Sequence, residues 1–181
     1  DAQARDQALL IPLILALVFV VLVLLLRAFV APLLLLIAVV ASFFSAIGLS
    51  WWLFQSPLFE FPAIDTNVLL FSFLFLVALG VDYSIFLVTR AKEEAAHLGT
   101  TQGMIRALAA TGAVITSAGI LLAAVFAVLG VLPLITLTQI GIIVCIGVLI
   151  DTLLVRTVIV PALAFITKDS FWWPHLSLIH I

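Results

Sequence analysis

Long apolar stretches separated by short polar segments form the basic pattern of this chain. Residues 7–26, 28–59 and 107–150 carry no charged side chain, and residues 67–89 carry only one. About 20 apolar residues are enough for a helix to cross the hydrocarbon core of a bilayer. The longest stretch is about twice that length and is broken near Gly130 and Pro133. The pattern predicts five membrane-spanning helices, at about residues 8–27, 31–54, 66–90, 107–130 and 134–167.

The polar segments between and beside these spans receive separate interpretations. Residues 91–102 contain two glutamates, a lysine and a histidine, which predicts a short helix on the cytoplasmic membrane surface, ended by Gly99. Residues 1–7 are polar and are interpreted as the remnant of an extracytoplasmic domain. Residues 8–174 then form the five-helix transmembrane domain, and residues 175–181 are an unassigned tail.

Composition supports an all-α integral membrane protein. Hydrophobic residues make up 66% of the chain and charged residues 9%, against ~25% charged in soluble domains. Cys145 is the only cysteine, which excludes a disulfide scaffold and a thiolate metal site, and we expect no metal. A Gly-rich phosphate loop with lysine is absent, so ATP is not the expected energy source. A basic surface with interleaved aromatic residues is also absent, so nucleic acid is not an expected partner.

The distribution of basic residues predicts the orientation in the membrane. If Arg27 faces the cytoplasm, every one of the seven Lys and Arg residues except Arg5 lies at or near the cytoplasmic side. Five spans place the two ends on opposite sides. We therefore expect an extracytoplasmic N-terminus and a cytoplasmic C-terminus.

Asp82 is the most informative residue, because it is the one charged side chain among residues 67–89 of the third span. A rise of 1.5 Å per helical residue puts it roughly 22 Å from Asn67 and roughly 12 Å from Arg90. An acid at such a depth costs roughly 2.5–3.5 kcal/mol on insertion scales. That cost indicates a buried partner, a water-filled cavity or a role in ion movement.

Tyr83 follows Asp82 and is predicted to act with it in a proton relay. A dry, helix-lined site favours the neutral form of an acid, which suits it to take up and release a proton. A neighbouring phenol can donate a hydrogen bond to the carboxylate. The structural alternative is that Asp82 only joins helices through a hydrogen bond to Thr111, Thr116 or Ser117.

Other polar residues in the spans are secondary candidates. Asp151 and Arg156 are five residues apart, about 140° around an α-helix, so they do not naturally pair, and Arg156 is expected to extend to the cytoplasmic interface. Whether Asp151 and Arg156 have a structural or a supporting role stays open, and Thr116 and Ser117 are further supporting candidates. An intramembrane aspartyl protease is disfavoured, because Leu79-Gly80-Val81 stands where the Gly-x-Gly element would precede the acid.

Three motifs resemble the transmembrane domain of MMPL-type transporters in the resistance-nodulation-division superfamily, closest to the C-terminal half. They are Ala78-Leu79-Gly80-Val81-Asp82-Tyr83-Ser84-Ile85-Phe86-Leu87, the segment from Ala107-Leu108-Ala109-Ala110-Thr111-Gly112 to Ile115-Thr116-Ser117-Ala118-Gly119, and Asp151-Thr152-Leu153-Leu154-Val155-Arg156-Thr157.

The resemblance implies half of a proton-driven exporter of lipids or other hydrophobic compounds in the plasma membrane. It also implies that Asp82 and Tyr83 meet an Asp-Tyr pair of a second half. The expected partners are membrane lipids, a hydrophobic substrate, the N-terminal transmembrane half and the extracytoplasmic domains. No enzymatic activity and no cofactor are expected, the proton motive force being the energy source. The alternative is a non-transporting regulatory or scaffolding module like the sterol-sensing five-helix domains.

Overall fold

The computed structural model describes residues 2–173, which form helices and short connections. Five helical rods are long and apolar enough to cross a membrane, which confirms the predicted all-α architecture with five spans. The first four rods are α1 (Ala2–Leu26), α2 (Val30–Phe54), α3 (Thr66–Leu98) and α4 (Thr100–Leu129). The fifth is composite and consists of α5 (Ile135–Ile150), a π-helix (Asp151–Ile159), α6 (Val160–Thr167) and a 3₁₀ turn (Lys168–Trp172).

The polar segment 91–102 is not a separate surface helix. Its first part continues α3 to Leu98, and its last residues begin α4. Arg90 forms ion pairs with Glu93 and Glu94, three and four residues ahead, and such pairs support continued helix. The break comes at Gly99, which has φ +83°, so α3 and α4 form a tight antiparallel hairpin. At the other end of the molecule, the polar residues 2–7 are the first turns of α1.

Two glycines let neighbouring helices cross at close range. A Cβ added to Gly103 of α4 would lie 2.6 Å from the backbone nitrogen of Ala95 of α3. One added to Gly141 of α5 would lie 2.7 Å from the backbone oxygen of Phe126 of α4. Since real Cβ atoms do not approach so closely, each crossing requires glycine. Helix α5 packs against α2, α3 and α4, whereas α1 buries only Leu22 and Leu26.

The π-helix lies directly before a proline. Pro161 has no backbone N–H and its ring clashes with the carbonyl four residues back in a continuous α-helix. The π-helix ends at Ile159 and α6 begins at Val160, so Pro161 falls in the first turn of α6, where no intrahelical N–H donor is needed. Thr157 reinforces the altered register by donating its hydroxyl to the Thr152 carbonyl, five residues back.

The end of the fifth rod folds under the helix bundle as a strap, residues 168–173. Trp172 is fully buried and donates its indole N–H to Thr100 Oγ1 at 3.1 Å, and the Phe29 N–H donates to the Trp173 carbonyl. Trp172 is thus part of the core, while Trp173 is 52% exposed. The strap ties the start of α2 to the α3–α4 hairpin. The tail 175–181 lies outside the described residues.

Candidate functional site

Asp82 lies at the middle of α3 and is exposed on the outer surface of the five-helix unit. It belongs to a stripe of exposed residues that recur every three or four positions along α3. A charged group on this stripe is unusual, since its neighbours along the span are mostly apolar. We call this stripe the outer face of α3; it comprises Phe71, Phe75, Ala78, Asp82, Phe86 and Thr89.

The Asp82 carboxylate has no hydrogen-bond or ion-pair partner within residues 2–173. Thr111 donates instead to the carbonyl of Ala107, and Ser117 donates to the carbonyl of Val114, both on α4 itself. The structural alternative, in which Asp82 joins helices by bonding to Thr111, Thr116 or Ser117, is therefore not found in the described part of the chain. Thr116 is half-buried and Ser117 is exposed.

The opposite face of α3 contacts a buried ion pair, Asp151–Arg156, on the π-helix. Arg156 is 1% exposed and Asp151 is 5% exposed. Arg156 Nη2 donates to the Asp151 carboxylate and also to the backbone carbonyl of Gly80 at 2.8 Å, with Ser84 Oγ at 3.5 Å. Asp151 Oδ1, Arg156 Nε and Arg156 Nη1 have no hydrogen-bond partner among the described residues. The pair is consequently tightly enclosed but only partly satisfied.

This pairing corrects two predictions. A 140° separation between Asp151 and Arg156 assumes an α-helix, but the segment is π-helical, and in its i→i+5 pattern residues five apart lie one above the other. Arg156 therefore reaches Asp151 directly. It does not extend to the interface, because its guanidinium is held inward by Gly80 and Asp151 at the same level as Asp82.

On α3, Tyr83 lies between the outer face, which carries Asp82, and the inner face, which contacts Asp151 and Arg156 of the π-helix. Its ring covers the Arg156 guanidinium, with 4.9 Å from Arg156 Cζ to the ring centroid, a cation–π geometry. Asp82 is one residue before Tyr83, about 100° around the helix. Tyr83 is half-buried, so its ring touches the inner ion pair while its neighbour Asp82 faces outward.

Two residues of this site were not identified from the sequence, Gly80 and Ser84. Both lie on the inner face of α3, four residues apart, and both are buried. A Cβ on Gly80 would lie 3.1 Å from Val39 Cγ2 and 3.6 Å from Asp151 Oδ2, so the small residue lets the ion pair approach the α3 backbone. A Gly–x–x–x–Ser pattern beside an intramembrane acid was the available signal.

Basic residues gather at one end of the bundle, which we call the basic end. Lys92 donates to the Leu26 carbonyl at the end of α1, beside Arg27. Glu94 lies 2.6 Å from Arg90 and 3.6 Å from Arg106, which joins α3 to α4. Within residues 2–173 no cluster of three or more His, Cys, Asp or Glu side chains could hold a metal ion.

Sequence comparisons place this architecture among known proteins. Residues 1–179 match the MMPL family. Putative membrane protein ActII-3 of Streptomyces coelicolor is 54% identical over 175 residues, covering 97% of this chain and 24% of that protein. The apo-petrobactin exporter of Bacillus anthracis is 43% identical over 174 residues, covering 94% of this chain and 23% of the exporter.

A third relative is the sulfolipid-1 exporter MmpL8 of Mycobacterium tuberculosis. It is 39% identical over 178 residues, covering 96% of this chain and 16% of MmpL8. The chain thus spans at most about a quarter of the length of these relatives. Two of these three relatives are named as exporters. All three are much longer than this chain.

Proposed function

Because this chain belongs to the MMPL family, we propose that it forms one transmembrane half of a proton-driven exporter of lipids or other hydrophobic compounds. In this proposal Asp82 and Tyr83 carry the proton relay. The chain is a multi-pass membrane domain, and we propose the plasma membrane as its location, with the N-terminus extracytoplasmic and the basic end cytoplasmic.

The observation that carries the proposal is the position of Asp82, which is exposed on the outer surface of a membrane-spanning helix and has no partner among residues 2–173. A carboxylate that faced lipid at this depth would be costly, whereas one that faces a second protein surface or a shared aqueous cavity would not. No described residue of this chain covers the outer face of α3, and the relatives are long enough to contain a second half. We therefore place Asp82 at the interface between two halves.

The outer side of α4 supports the same arrangement. Ala109, Ala113 and Ser117 form a row of small residues spaced by four, and all three are exposed. Such a row permits close backbone approach between transmembrane helices, and no helix of the described chain covers it. We infer that the second half of the exporter packs against this row.

Tyr83 and the inner ion pair complete the proposed site. The Arg156 guanidinium packs against the Tyr83 ring from inside, which restricts the orientation of the ring. Asp151 holds Arg156 in turn. In this scheme Asp82 changes charge, Tyr83 exchanges hydrogen-bond partners, and Asp151 and Arg156 keep the site in position.

The test compares Asp82→Asn with wild type in the intact natural protein. Cells that lack the gene are complemented with each form, and hydrophobic compounds outside the cell are compared. Asparagine matches aspartate in size but cannot carry a proton, so we expect export to be lost while expression and membrane insertion are unchanged. Wild-type export by Asp82→Asn would remove Asp82 from the mechanism.

A protonophore separates this proposal from a regulatory module of the sterol-sensing type. Collapse of the proton gradient is expected to reduce export by the wild-type protein to the level measured for Asp82→Asn. A module that only binds lipid would show the same lipid binding with and without the gradient, and no cargo movement in either condition.

A further inference from the structure

The turn between α1 and α2 brings together two positive charges that have no carboxylate beside them. Lys92 of α3 donates to the carbonyl of Leu26, the last residue of α1, and Arg27 follows directly, so the two cations repel each other. Arg27 is exposed, and neither Arg27 nor Lys92 forms an ion pair within residues 2–173. Arg27 and Lys92 therefore form a site of uncompensated positive charge, which we call the turn patch.

The acidic residues of the basic end are engaged elsewhere. Glu93 and Glu94 both pair with Arg90, at 3.1 Å and 2.6 Å. Asp169 of the strap accepts a hydrogen bond from Thr100 Oγ1 at 3.0 Å. An anion that neutralises the turn patch must therefore come from outside the described part of the chain.

The helix ends at the turn also favour an anion. The carbonyl end of α1 is the negative end of its dipole, and the Lys92 ammonium lies against it. Helix α2 begins three residues after Arg27, and its N-cap residue, Phe29, makes no side-chain capping bond. The N–H groups in the first turn of α2 thus add positive potential beside Arg27.

An aromatic pair places the turn patch at the level of the lipid headgroups. The rings of Phe29 and Trp173 pack with their centroids 6.1 Å apart, and the two residues are 48% and 52% exposed. Exposed tryptophans of membrane proteins concentrate at the interface between hydrocarbon and water. An anion bound beside Arg27 therefore lies at the depth of a phospholipid phosphate.

An apolar groove leads from this turn into the membrane. Its volume is about 330 Å³, and it is lined by Leu15 of α1 and by residues of α2 from Leu33 to Phe44. Leu33 lies in the first turn of α2. The segment from Leu33 to Phe44 rises ~16 Å along the helix axis, about half of the ~30 Å hydrocarbon core. The groove thus has the length and the polarity to hold one acyl chain of the leaflet at the basic end.

We propose that the turn patch and this groove bind one anionic phospholipid, with its phosphate on Arg27 and Lys92 and an acyl chain between α1 and α2. The Lys92 ammonium has three donors, so it can hold the Leu26 carbonyl and the phosphate together. This site contains neither Asp82 nor Tyr83 and so goes beyond the proposed function. Since α1 buries only two of its described side chains, the lipid joins this weakly packed helix to α2 and α3.

The headgroup contact is tested by native mass spectrometry of the intact natural protein. The protein is delipidated in mild detergent and titrated with phosphatidylglycerol or with phosphatidylcholine of the same acyl chains. Arg27→Gln should weaken binding of phosphatidylglycerol about fivefold, which corresponds to about 1 kcal/mol for one basic residue, whereas Arg27→Lys should retain it. The matched control is Arg5→Gln, which removes an exposed arginine at the other end of α1.

The groove is tested with a substitution that fills it. Ala41 is exposed and lines the groove, whereas Ser45, one turn further along α2, is exposed and does not line it. We expect Ala41→Phe to weaken binding of phosphatidylglycerol several-fold, because the new ring occupies the space of the acyl chain. Ser45→Phe adds a similar side chain outside the groove and should bind the lipid as wild type does.

Three results would overturn the inference: equal affinity for phosphatidylglycerol and phosphatidylcholine, wild-type binding by Arg27→Gln, or equal losses in Arg27→Gln and Arg5→Gln. Glycerol phosphate, added as a competitor, distinguishes a lipid from a soluble phosphate compound. If it displaces phosphatidylglycerol at equal concentration and Ala41→Phe binds as wild type does, the turn patch takes a soluble phosphate and the lipid assignment is wrong. The assay contains no proton gradient, so these results are independent of whether Asp82→Asn abolishes export.

Discussion

Asp151 and Asp82 lie at the same level on opposite faces of α3, and their environments differ. On the inner face, Asp151 meets Arg156 within a closed contact that includes the Gly80 backbone. On the outer face, Asp82 is exposed and has no partner among residues 2–173. Tyr83 lies between them and touches the inner pair.

This difference indicates a structural role for Asp151 and leaves Asp82 as the candidate for proton transfer. Asp151 is held by a cation on its own helix, so a change of its charge would leave Arg156 buried and uncompensated. Asp82 has no such cation beside it in the part of the chain that the structure describes. The intramembrane acid that can change its charge at low structural cost is thus the one that the five helices leave open.

The largest expected contrast lies in stability. Asp151→Asn should lower the free energy of unfolding by about 3–5 kcal/mol, because the Arg156 charge stays buried without its counter-ion. Asp82→Asn should change it by no more than about 0.5 kcal/mol, since Asp82 is exposed and has no hydrogen bond or ion pair to lose among residues 2–173. Reversible unfolding of the chain in mixed detergent micelles measures both values.

A double variant sharpens this result. Asp151→Leu with Arg156→Met removes both charges and should recover most of the stability lost in Asp151→Asn, since an apolar replacement of a buried pair is often neutral. If Asp82→Asn were as destabilising as Asp151→Asn, the distinction between the two faces would be lost.

A smaller effect is expected where α4 approaches the π-helix. A Cβ on Gly119 would collide with the side chain of Thr152, which adjoins Asp151, so Gly119→Ala should cost about 1–3 kcal/mol of unfolding free energy. Gly112→Ala is the matched control on α4. Its nearest neighbour, Leu108 Cδ1, is 4.0 Å away, and alanine there should stabilise the helix by up to about 1 kcal/mol. Equal effects of the two substitutions would contradict the close crossing.

The smallest effect on stability is expected for a substitution of Tyr83, which lies between Asp82 and the inner ion pair. Tyr83→Phe keeps the ring over Arg156 and removes only the hydroxyl, so stability should hardly change. Export should fall by about fivefold, the value of one hydrogen bond of ~1 kcal/mol, and so by less than in Asp82→Asn. Initial export rates of the two variants, measured side by side, provide the check. A greater loss in Tyr83→Phe than in Asp82→Asn would make the phenol the primary group.

Much of the architecture follows from the sequence pattern. The uncharged stretches predict five spans, and Gly99 is correctly identified as a helix end, although the helix that ends there is α3 and not a separate surface helix. Asp65 caps the N-terminus of α3 by accepting a hydrogen bond from the Asn67 N–H, two residues ahead. These features depend on neighbouring residues alone, which is why a linear pattern contains them.

The sequence predictions are wrong in two kinds of place. One is where the helical period changes, and the other is where a polar segment is interpreted from its composition alone. The pairing of Asp151 with Arg156 was missed because an α-helical period was applied to a π-helix. The polar residues 91–102 suggested a surface helix, yet local ion pairs continue α3 to Gly99. The burial of Trp172 under the bundle likewise does not follow from composition, because it depends on the strap that returns this residue to Thr100.

By itself the sequence determined that the chain crosses a membrane five times and that one acid, Asp82, stands alone within a span, since both are matters of order along the chain. The tertiary structure decided which face of α3 that acid occupies, and that Asp151 and Arg156 meet on the other. Those facts depend on how five helices pack and where one of them widens to a π-helix. Packing also decided that Tyr83 stands between the inner ion pair and the open carboxylate.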